Sequence, residues 1–177
     1  MKLKIGSKAP DFNLPGADGK SYTLDSFKDK AILAIVFSCN HCPYVQAYES
    51  RMMDIQRDYA DRDTQLVAIN SNETKNYPED SFEKMARRAK EKRYNFPYLR
   101  DEDQSVAHAY DAACTPEFFV FDKKRQLQYH GRLDDNHENP AQVTKRYLRD
   151  AFEALLMGKM PPLQEVHPIG CSIKWSR

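Results

Sequence analysis

Residues 31–43 of the chain read AILAIVFSCNHCP. The first seven are all apolar, which is the pattern of a strand buried on both faces of a sheet. After Pro43, apolar residues recur at steps of three and four, and this spacing is typical of an amphipathic helix. The recurring residues are Val45, Tyr48, Met52, Ile55 and Tyr59. The sequence therefore predicts a buried strand that leads into a long helix, with Cys39 and Cys42 at the junction.

The rest of the chain supplies further strands for a mixed sheet. Residues 66–70 form a second apolar run, and a strand, a helix and a strand in this order make a right-handed crossover with parallel strands. Residues 118–121 and 127–130 flank a polar turn, which predicts a hairpin. A shorter hairpin is expected around Asp18 and Gly19. These elements predict an α/β fold with a mixed central sheet and helices on both faces.

Two further helices are expected. Glu79 and Asp80 are placed to favour the N-terminal dipole of the first, and the other has Asn139 as its N-cap, Pro140 at its first position and Gly158 at its end. The apolar residues that indicate the first helix are Phe82, Met85, Ala86 and Ala89.

Length and charge limit the classes of function. A chain of 177 residues favours one domain, here residues 1–158, followed by a tail over residues 159–177 that is a candidate for packing back near the cysteines. The formal net charge of +1 leaves no overall field to attract nucleic acid or an anionic membrane. The longest apolar run is far below the roughly 20 residues that span a bilayer. Because no apolar targeting segment opens the sequence, we expect a cytoplasmic protein, either a monomer or a homodimer.

Two cysteines separated by two residues at the start of a helix are suited to thiol chemistry. We expect Cys39 to lie at or near the N-cap, where the helix dipole stabilises a thiolate and lowers its pKa from about 8.5 to roughly 3.5 to 7.5. Cys42 would lie one turn behind and attack a mixed disulfide on Cys39. His41 either adds positive charge near the sulfur when protonated or faces solvent with no electronic role.

A zinc site and a pair of inert buried thiols are the alternative interpretations of this motif. Zinc usually needs four ligands, often with a second pair at similar spacing. The remaining cysteines and histidines are scattered singly, as Cys114, Cys171, His108, His130, His137 and His167. The sequence therefore predicts neither a metal nor an organic cofactor.

A second motif, Cys114-Thr115-Pro116-Glu117, precedes the predicted hairpin. Proline has no donor for the strand ladder, so Pro116 is expected at a strand start, at a bulge or in a cis peptide bond. Together with Cys-x-x-Cys at a helix start, this motif resembles the thioredoxin-like fold, in which a cis-proline lies against the active-site cysteines.

Further stretches narrow the resemblance. Residues 6–12 and 18–20 look like the redoxin branch of that superfamily, which contains peroxiredoxins and membrane-tethered disulfide reductases. Residues 39–48 and 170–175 are similar to a peroxiredoxin-like, thioredoxin-family group. The resemblance implies an N-terminal β extension, an inserted β-α unit and a C-terminal tail.

The resemblance also implies roles for the matching residues. Cys39 would be the attacking thiolate, Cys42 the resolving thiol, and Thr115-Pro116 a cis-peptide platform that pairs with an incoming chain. Glu117 would either relay a proton to Cys42, as a carboxylate with a raised pKa, or be a surface charge of the hairpin.

Two features depart from the family patterns. Ser38 stands where thioredoxins usually have a tryptophan. If Cys42-Pro43 is matched to a peroxidatic Cys-Pro, the threonine expected three positions earlier is Cys39, and no activating arginine is assigned.

The two remaining cysteines are candidate auxiliary thiols. Cys114 lies two residues before Pro116, within reach of the site after a modest movement, and Cys171 approaches it only if the tail folds back. Alternatively, Cys114 is a small buried residue and Cys171 an ordinary tail thiol. We expect Cys171 and Trp175, the sole tryptophan, to pack near the motif.

The sequence favours a thiol-disulfide oxidoreductase that cycles Cys39 and Cys42 between dithiol and disulfide with a protein disulfide or a small thiol. A peroxiredoxin-like thiol peroxidase with an antioxidant role is the first alternative. The second is a non-catalytic module that presents the edge at Thr115 and Pro116 to a strand of a partner.

Overall fold

The computed structural model describes residues 3–177, which form one five-stranded sheet, two two-stranded sheets and four α-helices. The strands are β1 (Asn13–Pro15), β2 (Ser21–Thr23), β3 (Ile32–Phe37), β4 (Thr64–Asn70), β5 (Tyr98–Arg100), β6 (Cys114–Thr115), β7 (Glu117–Phe121), β8 (Leu127–Gly131) and β9 (Cys171–Ser172). The helices are α1 (Pro43–Tyr59), α2 (Phe82–Lys92), α3 (Ser105–Tyr110) and α4 (Tyr147–Leu156).

The central sheet has the strand order β5-β4-β3-β7-β8. Strand β3 pairs in parallel with β4 and antiparallel with β7, and β7 pairs antiparallel with β8. The predicted strand-helix-strand unit, the hairpin at β7 and β8 and the N-terminal hairpin of β1 and β2 are therefore confirmed. Strand β5, parallel to β4, extends the sheet on the other side.

Strand β3 lies between two hydrophobic cores, because its side chains alternate between the faces of the sheet. Ile32, Ala34 and Val36 pack with the apolar side of α1 and with α4. Leu33, Ile35 and Phe37 pack with α3 and with residues of the N-terminal segment. All six are at most 2% exposed, which confirms a strand buried on both faces.

Helix α1 begins later than the sequence analysis expected. Its N-cap is Cys42 and its first residue is Pro43, so Cys39 lies three residues before the cap. Proline fits the first helical position because its fixed φ suits the helix and its missing N–H needs no partner there. Cys39, expected at or near the cap, is therefore close to the helix start but does not cap it.

The N-termini of the two later helices also differ from expectation. Ser81 caps α2 and accepts a hydrogen bond from the Lys84 amide. Asn139 caps only a short 3-10 turn, with its side chain accepting from the amide of Ala141. The chain is extended again at Val143, and α4 starts at Tyr147.

The tail packs back on the domain. Val166 donates its amide to the carbonyl of His130, and Cys171 and Ser172 form β9, which pairs antiparallel with β6. Beyond β9, Ile173 is 3% exposed and belongs to the same core as α3.

Within residues 3–177, no helix combines the length and the apolar character that crossing a bilayer requires.

The docking of the tail gives a stability prediction. Replacing buried Ile173 by alanine should lower the free energy of unfolding by about 2–5 kcal/mol, because it removes apolar contacts and leaves a cavity. Ile169 is the matched control, since it is 44% exposed and its replacement by alanine should cost less than about 0.5 kcal/mol. Urea unfolding of both variants measures the difference, and equal effects would show that the tail is not part of the cooperative unit.

Candidate functional site

The loop between β3 and α1 is held in place by Asn40. The Asn40 amide donates to Oδ1 of Asp80 at 2.7 Å, and its side chain donates to the Glu79 carbonyl at 2.7 Å. The side-chain oxygen of Asn40 accepts from the hydroxyl of Tyr98 at 2.7 Å, and its carbonyl accepts from Gln46 at 3.0 Å. Every polar group of Asn40 is thus bonded, which fixes the backbone between the two cysteines.

Asp80 is the buried centre of this support. It is 0% exposed, and its carboxylate accepts hydrogen bonds from Asn70 at 3.1 Å and from Asn72 at 3.0 Å, besides the bond from Asn40. A buried carboxylate needs such donors, since burying an unpaired charge is costly. Asp80 directly precedes Ser81, the N-cap of α2, as the sequence analysis expected, and its carboxylate is fixed by side chains at the end of β4.

Cys42 occupies the N-cap of α1, where unpaired amides and the helix dipole favour negative charge. Its residue is 0% exposed, and its Sγ lies 2.7 Å from Sγ of Cys171 and 3.4 Å from the carbonyl oxygen of Thr115. A hydrogen bond from Cys39 lowers the pKa of Cys42 to about 4 against the opposing effect of burial. The Cys171 thiol and the amide of Val45 act in the same direction as Cys39.

Cys39 has the opposite electrostatic character. It is 1% exposed, and its Sγ lies 3.5 Å from Oγ1 of Thr115. Its hydrogen bond to Cys42 and its burial raise the pKa of Cys39 well above its ordinary value, and the charge of Asp80 adds to the shift. The expected lowering of the Cys39 pKa was therefore wrong, because the hydrogen bond to Cys42 and burial both raise it.

His41 does not project freely into solvent. Its Nδ1 lies 2.5 Å from Oδ2 of Asp80, as an ion-pair contact rather than an aligned hydrogen bond, and its ring stacks on Tyr77. Because the carboxylate of Asp80 stands beside the ring, a positive charge on His41 would be largely balanced before it acted on Cys39.

The peptide bond between Thr115 and Pro116 is cis, as the resemblance implied. The Thr115 backbone faces the cysteines, and its outer edge pairs with β9, so that Thr115 stands opposite Cys171. The edge that the sequence analysis assigned to an incoming chain is thus occupied by the protein's own tail. The expected approach of Cys171 to the motif is confirmed.

Cys114 and Glu117 form a separate polar group beneath this strand. Glu117 is 2% exposed, which excludes a surface charge, and its carboxylate lies 2.6 Å from Nε2 of His130 and accepts from the Ala113 amide at 2.9 Å. Burial raises the pKa of Glu117, but these bonds outweigh it and the pKa is lowered, contrary to the raised value expected for a relay. The Cys114 thiol lies 3.6 Å from Glu117, and burial together with this carboxylate raises the pKa of Cys114.

Trp175 is not where the sequence analysis expected it. Its ring stacks on His108 of α3, with 4.4 Å between the ring centroids. The backbone on either side is held by Gln104, which bonds to the carbonyl of Lys174 and the amide of Ser176. Trp175 thus fastens the end of the tail to α3 instead of contacting the cysteines.

One group of side chains has the donor types of a metal site. Sγ of Cys39, a ring nitrogen of His41 and a carboxylate oxygen of Asp80 lie within 4.8 Å of one another. Both oxygens of Asp80 already accept hydrogen bonds, and a zinc site usually takes four ligands. The three residues are accounted for by the support of the loop.

The arrangement brings three sulfurs, those of Cys39, Cys42 and Cys171, to the N-terminus of α1, and we call them the sulfur cluster. The pKa of Cys42 is lowered, whereas the pKa values of Cys39 and Cys171 are raised. Sequence reasoning missed the support from Asn40 and Asp80. The available signals were Asn40 inside the motif and the two asparagines at and just beyond the end of β4, Asn70 and Asn72.

Comparisons with known proteins agree with this chemistry. The model of the AhpC/TSA family matches residues 5–130. The thiol-disulfide oxidoreductase ResA of Geobacillus kaustophilus is 27% identical over 128 residues, which cover 71% of this chain and 68% of that protein. The peroxiredoxin Bcp of Bacillus subtilis is 28% identical over 113 residues, covering 63% of this chain and 66% of that protein.

A solved structure shows that the similarity extends over the tail. A hypothetical protein from Sinorhizobium meliloti 1021 is 43% identical and superposes with a TM-score of 0.93 over 99% of this chain and 97% of that one. Thioredoxin-like structures at lower identity share the central sheet and its helices. The chain therefore has the thioredoxin-like fold and belongs to the AhpC/TSA family, whose relatives include thiol-disulfide oxidoreductases and peroxiredoxins.

Proposed function

We propose that the protein is a thiol-disulfide oxidoreductase in which Cys42 is the thiolate and Cys39 its redox partner. The observation that carries this proposal is the position of Cys42 at the helix cap, with a pKa lowered to about 4 by a hydrogen bond from Cys39. A thiolate at neutral pH with a second thiol bonded to it is the minimal apparatus for disulfide exchange. The ResA relative, which is named for that reaction, supports the assignment.

The reaction moves one disulfide bond. The Cys42 thiolate attacks one sulfur of a substrate disulfide and forms a mixed disulfide with it. The other substrate sulfur leaves as a thiolate. Cys39 gives its proton to that thiolate and attacks the Cys42 sulfur. A disulfide between Cys39 and Cys42 forms, and the second substrate sulfur leaves as a thiolate that takes a proton from water. Two cysteines of the protein have then been oxidised, and one substrate disulfide has been reduced. The reverse sequence oxidises a dithiol.

The neighbours of the pair determine which cysteine receives the first bond. Sulfur attack is fastest from the deprotonated thiol, and Asp80 opposes a negative charge on Cys39. The thiolate state of Cys42 therefore favours it as the sulfur of the pair that carries the covalent intermediate.

Removing Cys42 tests the proposal. Reduced protein mixed with glutathione disulfide should form a disulfide between Cys39 and Cys42, and Cys42→Ser should slow the formation of any disulfide within the chain by at least about 10³-fold. Rapid acid quenching, alkylation and mass spectrometry of the tryptic peptides measure the rate. The matched control is Cys114→Ser, which removes a thiol that contacts Glu117 rather than the sulfur cluster. Formation of another disulfide within the chain of Cys42→Ser, at the wild-type rate of disulfide formation, would refute the proposal.

The hydrogen bond from Cys39 makes a second prediction. The pKa of Cys42 is lowered, so its thiolate should persist as the pH falls from neutral and disappear as the pH passes through about 4. Cys39→Ala removes the hydrogen-bond donor and should move this transition to higher pH, whereas Cys39→Ser keeps a donor and should move it less. Ultraviolet absorbance of the thiolate follows the titration. An unchanged transition in Cys39→Ala would show that the helix terminus alone sets the pKa.

Thiol peroxidase activity is the second candidate, and one feature favours it. Cys42 is buried, lies at a helix N-terminus and is followed by Pro43, as the peroxidatic match in the sequence requires, and Bcp is named a peroxiredoxin. In that reaction, the Cys42 thiolate takes an oxygen from a hydroperoxide and becomes a sulfenic acid, which a neighbouring thiol converts to a disulfide with loss of water.

The choice of oxidant separates the two candidates. If disulfide exchange is the function of the site, glutathione disulfide should oxidise the sulfur cluster faster than hydrogen peroxide does at equal concentration. Mass spectrometry after trapping with a sulfenate reagent identifies the product. Faster oxidation by peroxide, with sulfenate trapped on Cys42, would favour the peroxidase.

A further inference from the structure

The sulfur cluster has one solvent-facing member. Cys39 and Cys42 are 1% and 0% exposed, so an external disulfide has little access to either. Cys171 is partly exposed, and its Sγ lies 2.7 Å from that of Cys42. A disulfide bond is about 2.05 Å long, so a small side-chain movement would join these two sulfurs.

The backbone of the tail places the Cys171 sulfur beside that of Cys42. Cys171 is paired with Thr115 in the β6-β9 ladder. At Gly170, a Cβ would stand 2.1 Å from the Thr115 carbonyl oxygen, so only glycine allows the tail to approach so closely. The position of the Cys171 sulfur is therefore set by strand pairing.

The same pairing closes the edge of β6 to other chains. An extended peptide binds to a sheet by adding a strand to an exposed edge. Here β9 takes the edge, and the tail beyond it is fastened by hydrogen bonds from Glu73 and Gln104 to the Lys174 carbonyl, both at 2.8 Å. Buried Ile173 adds apolar contacts. A polypeptide substrate would have to displace all of these contacts.

We propose that the site acts on low-molecular-weight thiols and disulfides, which exchange first with Cys171, and that Cys171 passes the disulfide to Cys42. This inference rests on the proposed function and extends it by a substrate class and a third redox thiol.

The steps balance in atoms and electrons. Cys171 passes its proton to the Cys42 thiolate, whose sulfur is 2.7 Å away, and attacks a small disulfide R–S–S–R, which releases one R–S⁻. Cys42 then loses this proton to water. The Cys42 thiolate then attacks the Cys171 sulfur, and a disulfide between Cys42 and Cys171 forms as the second R–S⁻ leaves. Both released thiolates take up protons according to their own pKa. Cys39 next gives up its proton and attacks Cys42, which leaves a disulfide between Cys39 and Cys42 and returns Cys171 as a thiol.

The charges of the cluster suit the reverse direction equally well. In the disulfide between Cys42 and Cys171, an external thiolate reaches the exposed Cys171 sulfur and displaces Cys42. The pKa of Cys42 is lowered to about 4 whereas burial raises that of Cys171 to about 11, so Cys42 is the better leaving group. An external thiolate that attacks the accessible Cys171 sulfur therefore also displaces the better leaving group.

The test maps disulfides over time after reduced protein is mixed with glutathione disulfide. Trypsin places Cys39 and Cys42 together in residues 31–51 and Cys171 in residues 160–174, so a bond from Cys171 to the motif joins two peptides. We expect the joined peptides to appear early in wild type and to be the final product in Cys39→Ser.

Four further variants separate the role of Cys171 from that of the other thiols. Cys42→Ser should accumulate a glutathione adduct on Cys171, because the thiol that would remove it is missing. Cys171→Ser should slow oxidation of the motif by about tenfold or more, whereas Cys114→Ser should retain the joined peptides. Gly170→Ala keeps all four thiols but displaces the tail, and it should lose the joined peptides while circular dichroism reports a folded chain.

Different results would overturn the role of Cys171 and the proposed function. Wild-type oxidation rates in Cys171→Ser, with no joined peptides in any variant, would overturn the role of Cys171 and leave the proposed function standing. Unimpaired formation of disulfides within the chain in Cys42→Ser would instead overturn the proposed function itself.

Discussion

Helix α1 begins at Pro43, and this boundary separates the two cysteines of the motif. It makes Cys42 the capping residue, which faces the free amides of the first turn and the positive end of the dipole. Cys39 is left in the loop before the helix, where its hydrogen bond to Cys42 and its burial raise its pKa and Asp80 adds to the shift. The hydrogen bond between the two cysteines lowers the pKa of Cys42, so the two thiols have opposite electrostatic character.

The tail turns this pair into a cluster of three sulfurs. Strand β9 pairs with the short strand that ends at Thr115, and the contacts of Gly170 and Ile173 fix it on both sides of Cys171. Packing, redox chemistry and substrate access are thereby linked, because the contacts that bury the tail also bring Cys171 to Cys42 and cover the edge beside them. Loss of the tail would expose the edge of β6 and would also remove the partly exposed sulfur of Cys171.

Much of the fold follows from local patterns in the sequence. The apolar run of β3 and the helical spacing after Pro43 predict the centre of the sheet, because both patterns are long and regular. Strand β5 and helix α3 have three and six residues, too few for a period to be read, so the sequence pattern did not locate them and only the resemblance implied an inserted β-α unit. The contacts of Trp175 with His108 depend on long-range packing, which no local pattern encodes.

The site was predictable in its composition but not in its roles. The spacing of Cys39 and Cys42 and the proline after Thr115 identified the correct residues. The choice of thiolate depended on which of two cysteines, three positions apart, caps α1, and helix boundaries are the least certain part of a sequence-based prediction. The support from Asp80 joins the motif to a residue forty positions away through Asn40, a contact that only the folded chain reveals.

The most direct test of the central claim is a nuclear magnetic resonance measurement of the fully reduced protein with ¹³C-labelled cysteine. The Cβ shift of each cysteine reports whether its own sulfur is charged at neutral pH. The account predicts a thiolate at Cys42 and neutral thiols at Cys39 and Cys171. A neutral thiol at Cys42 with a thiolate at Cys39 would contradict it.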